Sequence, residues 1–164
     1  MDKIAPCLWF DGVAEDAAEL YTSLFPNSRI VSVNRSPGDT PSGRKGTVLT
    51  VEFTLDGRRF TALNGGNDFK FTEAISMSID CEDQAEVDRY WDALLADGGE
   101  PSVCGWLKDR FGLSWQVVPR RMLELFSSSD RDAAERTMQA MLNMRKIDIA
   151  ELERAAAVEV VPAR

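Results

Sequence analysis

The sequence of 164 residues contains no histidine. This absence excludes Ser-His-Asp and Cys-His triads, the iron site made of two histidines and one carboxylate, and every zinc site that needs an imidazole. Any catalysis would have to rely on carboxylates, lysine, cysteine, tyrosine or amide side chains. The sequence alone identifies no catalytic residue.

Cysteines and long apolar runs are also scarce. The three cysteines, Cys7, Cys81 and Cys104, are odd in number and widely spaced, which is not typical of a disulfide framework or a zinc knuckle. No apolar run approaches the roughly 20 residues that span a bilayer. The first residues lack the pattern of a signal peptide. These features predict a cytoplasmic protein with no membrane partner.

Basic residues are outnumbered by acidic ones. Lysine and arginine total 19 against 27 aspartates and glutamates, so the net charge is −8. This charge makes nucleic acid and anionic membranes poor partners. A hydrophobic content of 44% with 28% charged residues is ordinary for a globular protein. The length fits one domain, or two small halves that share a core.

The hydrophobic periodicity predicts the same order of elements twice, strand, helix and then strands. Asp56-Gly57 is a strong hairpin signal within the first half. The predicted elements of the first half are residues 4–10 (strand), 14–25 (helix), 30–33, 47–55 and 59–63 (strands). Those of the second half are residues 74–80 (strand, with Ile75, Met77 and Ile79 on one face), 84–95 (helix), a weak strand near Pro101, and strands at 103–107 and 113–118.

Residues 104–119 are the most informative segment. They predict two strands joined by a turn at residues 108–112, where Gly112 can adopt a positive φ. Pro119 is expected to stop the second strand, because proline cannot donate to a ladder. Ser114 and Gln116 alternate with apolar residues, so one face of this strand is polar. That face is either a solvated surface or the floor of a pocket.

The chain after Pro119 predicts helices. Residues 122–126 suggest a short apolar turn, and Ser129 or Asp130 can cap a helix that runs to about Met144. Asp148 then starts a shorter helix through Ala157, and residues 158–164 are expected to fray. An apolar stripe in the longer helix predicts packing against the sheet or a partner subunit. Its members are Thr137, Met138, Met141, Leu142 and Met144.

With this order of elements, the sequence resembles the vicinal oxygen chelate superfamily, which includes glyoxalase I, extradiol dioxygenases and bleomycin-resistance proteins. It is most similar to the PhnB-like branch, whose members are often labelled 3-demethylubiquinone-9 3-methyltransferase-like. The stretches that carry the resemblance are Leu8-Trp9-Phe10-Asp11-Gly12, Ala18-Glu19-Leu20-Tyr21, Phe60-Thr61-Ala62-Leu63-Asn64-Gly65-Gly66, Phe69-Lys70-Phe71, Asp88-Arg89-Tyr90-Trp91, residues 104–119 and Met144-Arg145-Lys146-Ile147-Asp148-Ile149.

The resemblance implies an α+β fold in which two βαβββ modules form curled mixed sheets, followed by C-terminal helices. It implies one glyoxalase-like domain over residues 1–164, with module one at about 3–66, module two at about 73–119 and a helical extension at 120–164. It also implies a homodimer, commonly with elements exchanged between subunits. Superfamily enzymes bind a divalent metal in each cup through His, Glu or Gln.

The superfamily's metal-ligand positions carry unsuitable residues in this sequence. Gln116 falls where the second-half carboxylate would be, and the histidine positions fall at residues 4–6 and 74–76. The first-half carboxylate position falls at residues 62–64. At most one amide remains per half, whereas a hard dication needs several anionic or imidazole ligands. We therefore expect neither a metal site nor another cofactor.

A surviving pocket would be lined by the inner cup faces and the loop between the modules. Aromatic walls with a few amides suit a small planar or carbonyl-bearing ligand. Each tryptophan is equally consistent with a core role, and Cys104 is either a nucleophile, activated only if Lys108 lies close, or an inert thiol. The candidate ligand-binding residues are Trp9, Asn64, Gly66, Phe69, Phe71, Cys104, Trp106, Ser114 and Gln116.

Three functional hypotheses follow. The first is a metal-free protein that binds an unknown small molecule. The second is an enzyme of the same fold that acts on a small carbonyl or quinone-type substrate, including the methyltransferase of the family label. No glycine motif of the strand-then-helix type that binds S-adenosylmethionine supports that label independently. The third is a regulatory or partner-binding module with no ligand.

Overall fold

The computed structural model describes residues 3–158, which divide into two compact units between Phe71 and Thr72. The first unit contains a four-stranded sheet and one helix. Its elements are β1 (Cys7–Phe10), α1 (Ala14–Leu24), β2 (Arg29–Arg35), β3 (Val48–Leu55) and β4 (Arg58–Asn64). The strand order is β1-β4-β3-β2, in which β1 and β4 are parallel and the other pairs are antiparallel.

The second unit repeats this topology and adds helices. Its elements are β5 (Ser76–Cys81), α2 (Gln84–Leu95), β6 (Glu100–Pro101), β7 (Trp106–Lys108), β8 (Ser114–Pro119), α3 (Arg120–Phe126), α4 (Arg131–Leu142) and α5 (Ile149–Ala157). The order is β5-β8-β7-β6, again with one parallel pair, β5 and β8. The predicted α+β fold of two βαβββ modules with C-terminal helices is confirmed.

One face of each sheet is covered by the helix of its own unit. In the first unit, Tyr21 of α1 lies against Phe53 of β3, and both are buried. In the second unit, Trp115 and Val117 alternate with the polar residues of β8 and are buried beside α2. The opposite face of β7 and β8 carries Trp106, Lys108, Ser114 and Gln116, as the period-two pattern of these strands predicts.

Local signals fix several of the turns. Asp56 and Gly57 both have positive φ, 46° and 76°, as the tight β3–β4 hairpin requires. Gly112 has φ 87°, as expected for the turn between β7 and β8. Asp83 caps α2 by accepting a hydrogen bond from the backbone nitrogen of Glu86 at 2.9 Å. Asp130 and Asp148 cap α4 and α5 in the same way.

Several expected strand boundaries are wrong. β5 begins at Ser76, and Ile75 is 71% exposed instead of lying on the apolar face with Ile79. The expected strand at 103–107 begins only at Trp106, because Cys104 and Gly105 have positive φ and break the extended conformation. Strand β8 does end at Pro119, as expected. Pro119 is the last residue of β8 and pairs with Cys81.

The helical extension also differs from expectation at one element. Residues 122–126 belong to a helix, α3, which begins directly after β8 with Pro119 at its N-cap. Part of the methionine stripe is buried, but mainly within the helical extension and not against the sheet: Met144 packs with Met122, Ile147 and Leu152, and Met141 lies against them. Met138 and Leu142 are instead about half exposed, at 47% and 50%.

Apart from Val158, the end predicted to fray lies outside the described residues. Within residues 3–158, no helix is both long and apolar enough to cross a bilayer.

Candidate functional site

The second unit contains a cavity of about 450 Å³ beside the outer strands of its sheet. It is lined by Glu73, residues 100–104, β7 and Ser114. This volume lies within the range of small-molecule sites in proteins. Of the nine candidate residues, the structure brings Cys104, Trp106 and Ser114 together here.

Ser114 is the most informative polar group in this cavity. Its side chain is on the strand face opposite α2, yet the residue is only 1% exposed. Its Oγ has no hydrogen-bond partner among the described residues. A buried hydroxyl without a partner costs free energy, about 1–3 kcal/mol, so proteins usually satisfy it. Ser114 also lines the cavity, so this unsatisfied hydroxyl belongs to the cavity wall.

An ion pair stands at the wall of the cavity. Lys108 Nζ lies 2.5 Å from a carboxylate oxygen of Glu73, and Lys108 is paired in register with Glu100 of β6. The hydrogen bond from Lys108 lowers the pKa of Glu73, and the same bond raises the pKa of Lys108. Both groups therefore stay charged over a wide range around neutral pH. The three charges on the lining, two carboxylates and one ammonium, sum to −1.

Aromatic and aliphatic groups form the rest of the wall. Trp106 is partly buried and shares its strand face with Lys108. Pro101, Val103 and Leu107 contribute apolar surface. Cys104 precedes Trp106 in a left-handed backbone conformation with φ 58°. The cavity therefore combines one aromatic face, one unpaired hydroxyl and a negative net charge.

Comparison with known proteins identifies the family. The family model described as 3-demethylubiquinone-9 3-methyltransferase matches residues 2–118. The solved structure of the PhnB protein from Bacillus cereus is 37% identical, with a TM-score of 0.65, over 72% of this chain and 99% of that chain. The chain belongs to this family. It is a PhnB-like protein.

Two further solved structures are similar to this chain to a lesser degree. Protein PA1353 from Pseudomonas aeruginosa is 21% identical, with a TM-score of 0.59, over 73% of the PhnB-like chain and 98% of its own. A glyoxalase/bleomycin resistance protein from Albidiferax ferrireducens is 13% identical, with a TM-score of 0.46, over 73% and 99% of the two chains. No curated protein matches the PhnB-like chain significantly.

The residues that the resemblance puts at metal-ligand positions do not suit a divalent ion. Gln116 does not line the cavity, and its Nε2 donates to Ser76 Oγ at 2.9 Å, so two neutral groups at ligand positions satisfy each other. In the first unit, both polar atoms of the Asn64 amide are engaged by the backbone. Across residues 3–158 no group of three or more His, Cys, Asp or Glu side chains could hold a metal ion.

Asn64 instead has a structural role. Its Oδ1 accepts from the backbone nitrogen of Ala14 at 3.0 Å, and its Nδ2 donates to the carbonyl of Val48 at 3.0 Å. Helix α1 has no capping side chain of its own, so β4 supplies the partner that its first turn needs. The amide therefore joins the start of α1 to the sheet.

The other first-unit candidates, Trp9, Gly66, Phe69 and Phe71, make contacts within their own unit, and none of them lines the cavity. Trp9 donates its indole N–H to the carbonyl of Gly66 at 2.8 Å, and Phe69 meets the Trp9 ring edge-on at a centroid distance of 5.0 Å. Phe71 packs edge-on against Phe10 at 5.2 Å. Phe69 is 65% exposed, so the contact between Trp9 and Phe69 lies at the surface of the first unit.

Sequence analysis missed the charged part of the cavity. Lys108 was considered only as a neighbour of Cys104, although its spacing of two from Trp106 places both side chains on one strand face. Glu73 precedes β5 and has no local pattern that marks it. Its place opposite Lys108 depends on the pairing of β5 with β8, which the sequence alone does not specify.

Proposed function

We propose that this PhnB-like chain is a small-molecule binding protein that works without a metal ion, and that the cavity in the second unit is its binding site. The single observation that carries the proposal is the buried Ser114 Oγ, which lines the cavity and has no partner within residues 3–158. The unsuitable residues at the metal positions support the metal-free part.

The lining also points to the chemical class of the ligand. A net charge of −1 on the wall opposes anionic groups such as carboxylates and phosphates. Trp106 offers a ring face on which a planar group can stack or a cation can rest. Ser114 can donate to, or accept from, one polar atom of the ligand. We therefore propose a neutral or cationic ligand that has an aromatic or other planar part.

Thermal-shift screening with small aromatic amines tests this proposal. We expect amines that raise the Tm of the wild type to lose this effect in Trp106→Ala and in Ser114→Ala. Matched controls are Phe69→Ala, an exposed aromatic of the first unit, and Ser78→Ala, an exposed serine of β5. The proposal fails if the Trp106 and Ser114 variants respond as the controls do.

Metal dependence is tested separately. Addition of Mg²⁺, Mn²⁺, Ni²⁺ or Zn²⁺ is expected to leave the Tm unchanged, because a bound ion would stabilise the folded state by mass action. A large stabilisation by one of these ions alone would overturn the metal-free claim.

The family description favours a second candidate, an enzyme that transfers a methyl group or acts on a quinone-type or carbonyl substrate. Such a methyltransferase would bind S-adenosylmethionine. Calorimetric binding of this cofactor, or turnover that is lost in Gln116→Ala or Cys104→Ala, would favour the enzyme over the binding protein.

We also propose that the protein is a cytoplasmic homodimer, on the basis of its resemblance to the superfamily. Its negative charge supports the further proposal that it binds neither nucleic acid nor membranes.

A further inference from the structure

One side of the cavity is a loop with unusual backbone conformations. This pocket loop, residues 102–105, contains Cys104 at φ 58° and Gly105 at φ 81°. The left-handed region suits glycine but is disfavoured for cysteine. Interactions from outside the loop are therefore needed to keep Cys104 in this conformation.

Those interactions come from the helical extension. The backbone nitrogen of Cys104 donates to the carbonyl of Met144, and that of Gly105 donates to the carbonyl of Arg145, both at 2.8 Å. Ile147, which is 1% exposed, packs against Gly105 so closely that a Cβ there would lie 3.1 Å from Ile147 Cγ1. We name residues 144–147 the retaining segment.

The retaining segment is itself fixed to α2. Gln84 Nε2 donates to the carbonyl of Ile147 at 3.0 Å, and Gln84 Oε1 accepts from the backbone nitrogen of Ile149 at 2.9 Å. Lys146 Nζ lies 2.8 Å from a carboxylate oxygen of Asp88. The chain of contacts therefore runs from α2 through the retaining segment to the pocket loop.

The retaining segment lies outside residues 2–118, the part that the family model matches. We propose that residues 144–147 are positioning residues of the cavity, which hold the pocket loop and so fix the place of Cys104 on its wall. This inference rests on the proposed function for its biological meaning, because the loop matters for binding only if the cavity takes a ligand.

Hydrogen exchange and thiol labelling test the inference without any ligand. In Gln84→Ala, the amides of Cys104 and Gly105 should exchange about tenfold faster, because their acceptors are no longer held in place. In a Cys7→Ser background, N-ethylmaleimide should also label Cys104 faster. Cys81 should stay silent, because burial raises its pKa to about 12. The matched control is Gln139→Ala, an exposed glutamine of α4.

Lys146→Gln provides a second variant, which removes only the surface ion pair to Asp88. The exchange rates of the same two amides should rise less in this variant than in Gln84→Ala. Unchanged exchange at Cys104 and Gly105 in both variants would overturn the inference. A uniform rise in exchange rate that includes the amides of Leu107 and Trp115 would also overturn the inference, because the retaining segment would then stabilise the whole unit. A different result would count against the proposed function alone: no ligand is found, but the amides of Cys104 and Gly105 exchange faster in Gln84→Ala as expected.

Discussion

At the scale of single residues, Asp109 organises the turn between β7 and β8. It is 3% exposed, and its Oδ1 accepts from the backbone nitrogens of Phe111 and Leu113 at 2.8 and 3.1 Å. Its Oδ2 accepts from the indole nitrogen of Trp115 at 2.8 Å. The carboxylate therefore joins the turn to the buried core of the second unit.

Asp109→Asn should lower the free energy of unfolding by about 2–4 kcal/mol, because the amide places a donor where the buried carboxylate accepts. Urea denaturation measures this change. The control Asp97→Asn affects an aspartate whose side chain is 74% exposed in its ion pair with Arg110, and should cost less than about 1 kcal/mol. Equal effects of the two substitutions would contradict this account of Asp109.

The Glu73–Lys108 ion pair predicts that its contribution to the stability of the fold is lost at both low and high pH. The pKa of Glu73 is lowered from 4.5, so its contribution is present above that value and is lost as the pH falls through the folded pKa. The pKa of Lys108 is raised from 10.5, so its contribution is present below that value and is lost as the pH rises through the folded pKa.

Carbon-detected NMR titration should therefore give Glu73 a pKa below 4.5 in the wild type. In Lys108→Met the value should return toward 4.5, because the donor that stabilises the carboxylate is gone. Arg121→Met, which breaks a different ion pair with Glu153, should leave Glu73 unaffected. A wild-type value at or above 4.5 would show that the ion pair does not form in solution.

Residue roles were predictable from sequence only where they depend on near neighbours. Gly112 was predictable because a turn between two alternating strands needs a residue that tolerates positive φ. The role of Asn64 was not, because its partner at the start of α1 is Ala14, 50 residues away. The burial of Ser114 was also unpredictable, since strand alternation gives the face of a side chain and not what covers it.

At the scale of elements, the capped start of α5 lies directly after the retaining segment. Asp148 immediately follows this segment, and its side chain accepts from the backbone nitrogen of Glu151 at 2.8 Å. The extension has its own apolar cluster, which includes Met122, Met144, Ile147 and Leu152. The start of α5 therefore lies next to both this apolar cluster and the retaining segment.

Asp148→Ala should lower the free energy of unfolding by about 1 kcal/mol, because a first-turn backbone nitrogen loses its partner. Thermal denaturation followed by circular dichroism measures the loss. Glu135→Ala, at an exposed position within α4, should change stability by less than about 0.5 kcal/mol. If Asp148→Ala matched this control, the cap would have no energetic role.

Element types followed well from sequence, whereas their ends often did not. Helix α2 occupies the predicted residues because its apolar periodicity and its cap agree. Strand β7 is shorter than predicted, because the retaining segment holds Cys104 and Gly105 in a turn. Helix α3 was missed because seven residues give too short a periodic signal to distinguish a helix from a turn.

At the scale of the whole molecule, the repeated strand order agrees with the weak internal repeat in the sequence. The proposed homodimer is a separate claim at this scale. Sedimentation equilibrium should give a mass of twice the 18.2 kDa of one chain. A mass of one chain at micromolar concentration would contradict the dimer and leave the proposed site unaffected, since all its lining residues come from the second unit.

The most direct test of the central claim is an NMR titration of the labelled protein with small aromatic amines in buffer that contains EDTA. We predict amide shifts concentrated at Cys104, Trp106, Lys108 and Ser114, which disappear in Trp106→Ala and persist in Phe69→Ala. Binding that occurs only after a divalent metal is added, or shifts centred on other residues, would contradict the account.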